Sequence, residues 1–188
     1  KHAKHGDILF SVLHLLLAVN ARLGLRNCEM PGARLEKRML FVKNAKNSHG
    51  RANGPRRVLS LERMPEQLLQ ATDVFLVKMK ELVAAYGSVE RACRILAERL
   101  ARVCARLGLP RISLYTLRHL AIATWKRAGL SAEEIAALAG HISTRTAWSH
   151  YARGKNGWHP KNVYVAAGKE TVEYVKRHME SKGRGLWP

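Results

Sequence analysis

YTLRHLAIATWKRAGLSAEEIAALAGHISTRTAWSHY, residues 115–151, is the stretch from which both the fold and the chemistry of this chain are read. Two amphipathic runs share it. The first covers residues 114–128 and ends at Gly129, a residue suited to the left-handed turn that closes a helix. The second opens on Ser131-Ala-Glu-Glu134, which has the spacing of a capping box, and stops at Gly140. A further helix is expected over 143–152. Three polar side chains punctuate these runs. Arg118 lies near the start of the first, His141 directly follows the second, and Tyr151 comes ten residues later.

Those residue types suit phosphoryl transfer, which asks a protein mainly for charge neutralisation and in-line positioning. Arginine stays charged and offers a planar fork to two phosphate oxygens. A positioned phenol is a nucleophile, and a neutral imidazole exchanges a proton near neutral pH. Each also has a plainer reading: a surface arginine, a core histidine or a packed tyrosine.

In this order and spacing, LYTLRH, AGLSAEEIAALAGHIS and HYA resemble the catalytic domain of the tyrosine recombinases, the phage-integrase family. That family carries a His-x-x-Arg box, a Leu-Gly-His turn and a nucleophilic tyrosine shortly after it. Arg118 matches the box arginine, Gly140-His141 the turn, and Tyr151 the nucleophile. Tyr115 stands where the family usually has its first histidine, and the separation of His141 from Tyr151 is slightly longer than the common form.

The resemblance extends upstream. Gly24-Leu-Arg-Asn-Cys-Glu29 is similar to the turn that supplies the family's first catalytic arginine, which implies that role for Arg26, with Glu29 behind it as its orienting partner. Without the resemblance, Arg26 reads equally well as a cation at a helix end. Residues 39–44 and 56–61 read as two strands, and the Gly, Asn and Pro between them as a turn. The family carries its catalytic lysine in a hairpin there, so Lys46 is the expected general acid for the leaving oxygen, with Lys43 as the fallback. Lys43, Arg51, Arg56, Arg57 and Arg145 are expected to contact DNA phosphates.

The remaining chain reads as helices over 7–24, 65–85, 88–107 and 170–181, with a turn-rich segment at 153–169. The implied fold is α+β and mainly helical, a tyrosine-recombinase-like catalytic domain with a small β-hairpin or sheet. Residues 1–188 are read as one such domain, the C-terminal part of a longer enzyme whose N-terminal DNA-clamp domain is not included. Residues 153–188 form a tail that in this family docks on a neighbouring protomer.

Composition agrees with a polyanionic partner. Thirty-three basic side chains against 14 acidic ones give a net charge of +19, and a folded basic surface of this kind points first to nucleic acid. Asp7 and Asp73 are the only aspartates, so the carboxylate cluster of a metal-dependent nuclease is not expected. Cys28, Cys93 and Cys104 lack Cys-x-x-Cys spacing and read as reduced residues, neither a zinc site nor a disulfide framework. The apolar run over 8–19 is too short to span a bilayer. The resulting expectation is a site-specific recombinase that needs no cofactor or metal. It would act on double-stranded DNA as a homo-oligomer, in the cytoplasm at the nucleoid of a prokaryote. Residues 131–151 also resemble a helix-turn-helix, so a noncatalytic DNA-binding regulator or a degenerate recombinase is the alternative. A type IB topoisomerase is a further one.

Overall fold

The structure is a computed structural model. It describes residues 2–45, 54–144 and 151–183, and side chains within 8–45, 54–144 and 151–178. The elements are α1 (His2–Leu23), a 3-10 turn (Asn27–Gly32), β1 (Arg34–Glu36), β2 (Met39–Lys43), β3 (Arg56–Ser60), α2 (Glu66–Tyr86), α3 (Val89–Arg106), α4 (Leu114–Arg127) and α5 (Ala132–Ala139). Two further 3-10 turns (Gly154–Asn156 and Pro160–Asn162), β4 (Ala166–Ala167) and α6 (Lys169–Gly183) complete the order. The fold is α+β: mainly helical, with one four-stranded antiparallel sheet in the order β1-β2-β3-β4.

Helix α1 packs on α2 and α4 through Val12, Leu16, Val19 and Leu23, none of which is exposed. Their 3.6-residue period is the signal that made this segment legible as a helix. The helix ends where buried Asn20 donates to the Leu25 carbonyl at 3.1 Å and accepts from Leu25 N–H at 2.8 Å. This clamp holds Gly24 at φ 62°, against α4. A Cβ at Gly24 would lie 2.8 Å from the Trp125 ring, so the turn needs glycine for both conformation and space.

Helix α3 buries Ala92, Leu96, Leu100 and Cys104 and leaves its arginines outside. Ser88 caps it, accepting from Arg91 N–H at 3.1 Å. Helix α5 opens with the expected capping box and closes at Gly140 with φ 69°. In the sheet, Val42 faces Arg57 and Lys43 faces Arg56. Strand alternation sends the first pair inward and the second outward.

The two expected strands are present as Met39–Lys43 and Arg56–Ser60. Strands β1 and β4 were not foreseen; at three and two residues they are too short to show alternation. Most of the helix expected over 143–152 lies outside the described residues. After Tyr151 the described segment packs on its own chain: β4 extends the sheet beside β3, and α6 packs on α5 with Val175 unexposed. Among the described residues no helix is long and apolar enough to cross a membrane.

Candidate active site around Arg118 and Tyr151

Arg118 sits one turn inside α4, whose start is fixed by reciprocal bonds between Ser113 and Thr116. The side chain has no exposed surface, and each of its nitrogens is engaged. Nη1 donates to the Gly24 carbonyl at 2.5 Å, and Nη2 donates to the Ala139 carbonyl at 2.6 Å. Nη2 also lies 3.2 Å from His141 Nε2, and Nε donates to the Tyr151 hydroxyl oxygen at 3.1 Å. One guanidinium thus ties together the end of α1, the end of α5 and the segment carrying Tyr151.

The Tyr151 oxygen lies 2.7 Å from the Tyr115 hydroxyl and 3.4 Å from His141 Nε2. Burial opposes ionisation of Tyr151. The charge of Arg118, the hydrogen bonds from Tyr115 and Arg118, and the charge of Arg26 outweigh it, leaving the pKa below the usual phenol value. Tyr115 moves the other way, raised by burial and by its bond to Tyr151. The pair therefore favours Tyr115 as donor and Tyr151 as the oxygen that becomes negative.

His141 is 4% exposed. Its Nε2 faces Arg118, which can only donate, so the ring is neutral with its proton on Nδ1. Among the described residues Nδ1 has no hydrogen-bond partner. Burial, then the charges of Arg118, Arg26 and Arg57, push the pKa down to about 2. Because the folded value lies below the ordinary 6.5, the unfolded chain binds the extra proton first. Stability contributed by neutral His141 is therefore complete above pH 6.5 and lost as pH falls below it. We expect the thermal midpoint to drop between pH 7 and 5, with a shallower drop in His141→Gln; parallel curves for the two proteins would refute this.

Arg26 is 7% exposed and anchored by Glu29. Its Nη1 donates to Oε1 at 2.7 Å, and its backbone N–H donates to Oε2 at 2.9 Å. The same carboxylate accepts from Arg57 Nη2 at 2.8 Å, Arg57 Nη1 at 3.2 Å and Ala45 N–H at 3.3 Å. Burial alone would raise the Glu29 pKa, but Arg57, Arg26 and Arg118 bring it to about 2. Glu29 thus does more than orient Arg26: it joins that arginine to the hairpin.

Arg57 corrects the sequence reading. Expected on the surface as a phosphate contact, it is 1% exposed. Its Nε donates to the Leu138 carbonyl at 2.9 Å, and Nη1 also donates to Asn44 Oδ1. The cause is strand parity, since Arg57 alternates with Arg56 and shares the inner face with Leu59. Asn44, which was also missed, donates through Nδ2 to the Gly54 carbonyl at 2.8 Å and so holds the two ends of the hairpin loop together. A Cβ on Gly140 would fall 2.7 Å from both Arg57 Nη1 and Asn44 Oδ1, so the turn before His141 is pressed against this network.

The structure brings together Arg118, His141, Tyr151 and Tyr115, and links Arg26 to Arg57 through Glu29. Lys43 and Arg56 are exposed at the loop end of the hairpin, while Lys46, Arg51 and Arg145 lie outside the described residues. A cleft of about 360 Å³ opens beside Arg26, Cys28, Cys93 and Tyr115. Among the described residues no group of three or more side chains could hold a metal ion. Chemically, the cluster is a phenol of lowered pKa beside an arginine and a neutral imidazole, a set suited to attack on an anionic phosphorus centre. Comparison with protein-family models, with curated proteins and with solved structures found no match to this chain.

Proposed function

We propose that the protein is a site-specific DNA recombinase that cuts and rejoins DNA through a 3′-phosphotyrosyl intermediate. The observation that carries this reading is the Tyr151 oxygen 3.1 Å from Arg118 Nε, with His141 and Tyr115 on the same oxygen. Arg118 and Arg26 would neutralise the scissile phosphate and the charge that develops on it. Tyr151 would lose its phenolic proton as its oxygen bonds to phosphorus, and the bond from phosphorus to the 5′ oxygen would break. That proton would pass to solvent, while Tyr115, 41% exposed and bonded to Tyr151, would donate to the phenolate oxygen so formed. The leaving 5′ oxygen would take a proton from Lys46. Because the phosphodiester is exchanged for a phosphotyrosyl bond, the reverse step would rejoin DNA without ATP. The acting form would be a homo-oligomer on double-stranded DNA at the nucleoid.

A second reading, a DNA-binding protein that no longer cuts, is favoured by how closed the site is. Arg118 has no exposed surface and Tyr151 is 8% exposed, so cleavage requires Tyr151 to leave its present bonds and reach a phosphate. A nicked suicide duplex carrying the protein's site, incubated with the full-length protein without metal and run on a denaturing gel, separates the two. We expect a covalent protein–DNA band that Tyr151→Phe abolishes. Binding without such a band would establish the second reading, and a band retained in Tyr151→Phe would move the nucleophile elsewhere.

A further inference from the structure

The outer face of the sheet carries a groove of about 430 Å³ lined by Arg34 of β1, Phe41 and Lys43 of β2, Arg56 of β3 and Lys80 of α2. All four cations are exposed, and among the described residues no carboxylate lines the groove. Lys43 and Arg56 are direct cross-strand partners. Like charges in that position repel and destabilise a hairpin. Among the described residues, Arg34 pairs with Glu36 at 2.7 Å, and its guanidinium also lies 5.5 Å over the Phe41 ring. The groove therefore concentrates positive charge, and the Lys43–Arg56 pair opposes the pairing of its own strands.

Its direction matters as much as its charge. It runs from α2 across β1 and β2 to Lys43 and Arg56, the last outward pair before the loop that carries Lys46. We propose that this groove is a phosphate track for the DNA backbone, and that Arg34 and Lys80, neither of which was expected to touch DNA, extend the bound duplex away from the cleavage point along the sheet. This inference rests on the DNA reading above and adds to it a path for the flanking duplex. Phosphates at successive backbone positions would bridge cations that otherwise repel one another, and their condensed counterions would be released.

The test is the salt dependence of DNA binding by the full chain carrying Arg34→Gln and Lys80→Gln. Two lost phosphate contacts should reduce the slope of log affinity against log salt by about 1.8, and weaken binding about fivefold per contact at 0.15 M salt. The control is Lys78→Gln with Lys176→Gln, which removes the same charge from side chains already paired with Glu81 and Glu173. Its slope should stay at the wild-type value. Thermal midpoints of both variants confirm folding, because all four side chains are at the surface. An unchanged slope in the groove variant, or an equal drop in the control, overturns the track while leaving the proposed chemistry standing. A wild-type protein that does not bind duplex DNA at 50 mM salt overturns both. A reduced slope without a covalent band on the suicide duplex supports the track and refutes the cleavage chemistry.

Discussion

Glu29→Ala is expected to cost about 3–5 kcal/mol, enough to leave a protein of ordinary stability largely unfolded. The reason is the residue left behind. Arg57 is 1% exposed, and Glu29 is the carboxylate that meets its charge. Removing the acid leaves a guanidinium in the interior with, among the described residues, the neutral acceptors Asn44 and the Leu138 carbonyl. Urea denaturation would measure the loss. Replacing Arg57 as well, in Glu29→Gln/Arg57→Met, should recover much of it, because the buried charge goes with its partner. A double variant no more stable than Glu29→Ala would show that burying an unpaired charge is not the cause. The wild-type pH dependence follows with a definite sign. The folded Glu29 carboxyl titrates near 2, below its ordinary 4.5. Its contribution is therefore complete above pH 4.5 and drains away as pH falls toward 2.

Gly157→Ala should be the second most damaging change, at about 1–3 kcal/mol, and under the proposed cleavage chemistry it should also lower covalent DNA adduct beyond what lost stability accounts for. The backbone there has φ −80°, so conformation is no obstacle. Space is the obstacle: a Cβ would lie 2.5 Å from Ala123 C, Ala123 O and Thr124 N, all backbone atoms of α4. Around this contact, Arg127 Nη1 donates to the Gly157 carbonyl at 2.8 Å and Trp158 N–H donates to Thr124 Oγ1 at 2.9 Å. Lys126 Nζ lies 3.3 Å from the carbonyls of Tyr151 and Ala152. The segment after Tyr151 is thus seated on the helix that carries Arg118, and the seat sets where the phenol meets the guanidinium. Thermal melts and the suicide-duplex gel would be read together. An alanine variant with wild-type values in both would show that this seat is looser than the geometry implies.

The helices were legible because their apolar residues recur at 3.6-residue spacing and their ends carry Ser88, Ser131 and Gly140. Sequence order also nominated Arg118, His141 and Tyr151, which the fold places on one another. Adjacency across the chain was not legible. Nothing local to Tyr115 announces a bond to a hydroxyl 36 positions away. The burial of Arg57 left only a faint trace, because in RRVLS both Val58 and Leu59 are apolar and either parity of the strand looks acceptable. Pairing with Val42, set by the hairpin register, decides it. Strands β1 and β4 exist because β2 and β3 offer them edges, a cause that lies outside their own residues.

Arg56 and Arg57 are neighbours in the chain but live in different media, one in solvent and one in the interior. At position 56 a lysine would keep the outward charge that the proposed DNA contact needs. Position 57 has no such freedom: its fork spans Glu29, Asn44 and the Leu138 carbonyl at once, and a single ammonium on a flexible stem cannot reproduce those directions. Two identical letters therefore differ in what could replace them. A deletion of one residue within β3 would exchange their places, making the hairpin far less tolerant of length changes inside its strands than in the loop between them.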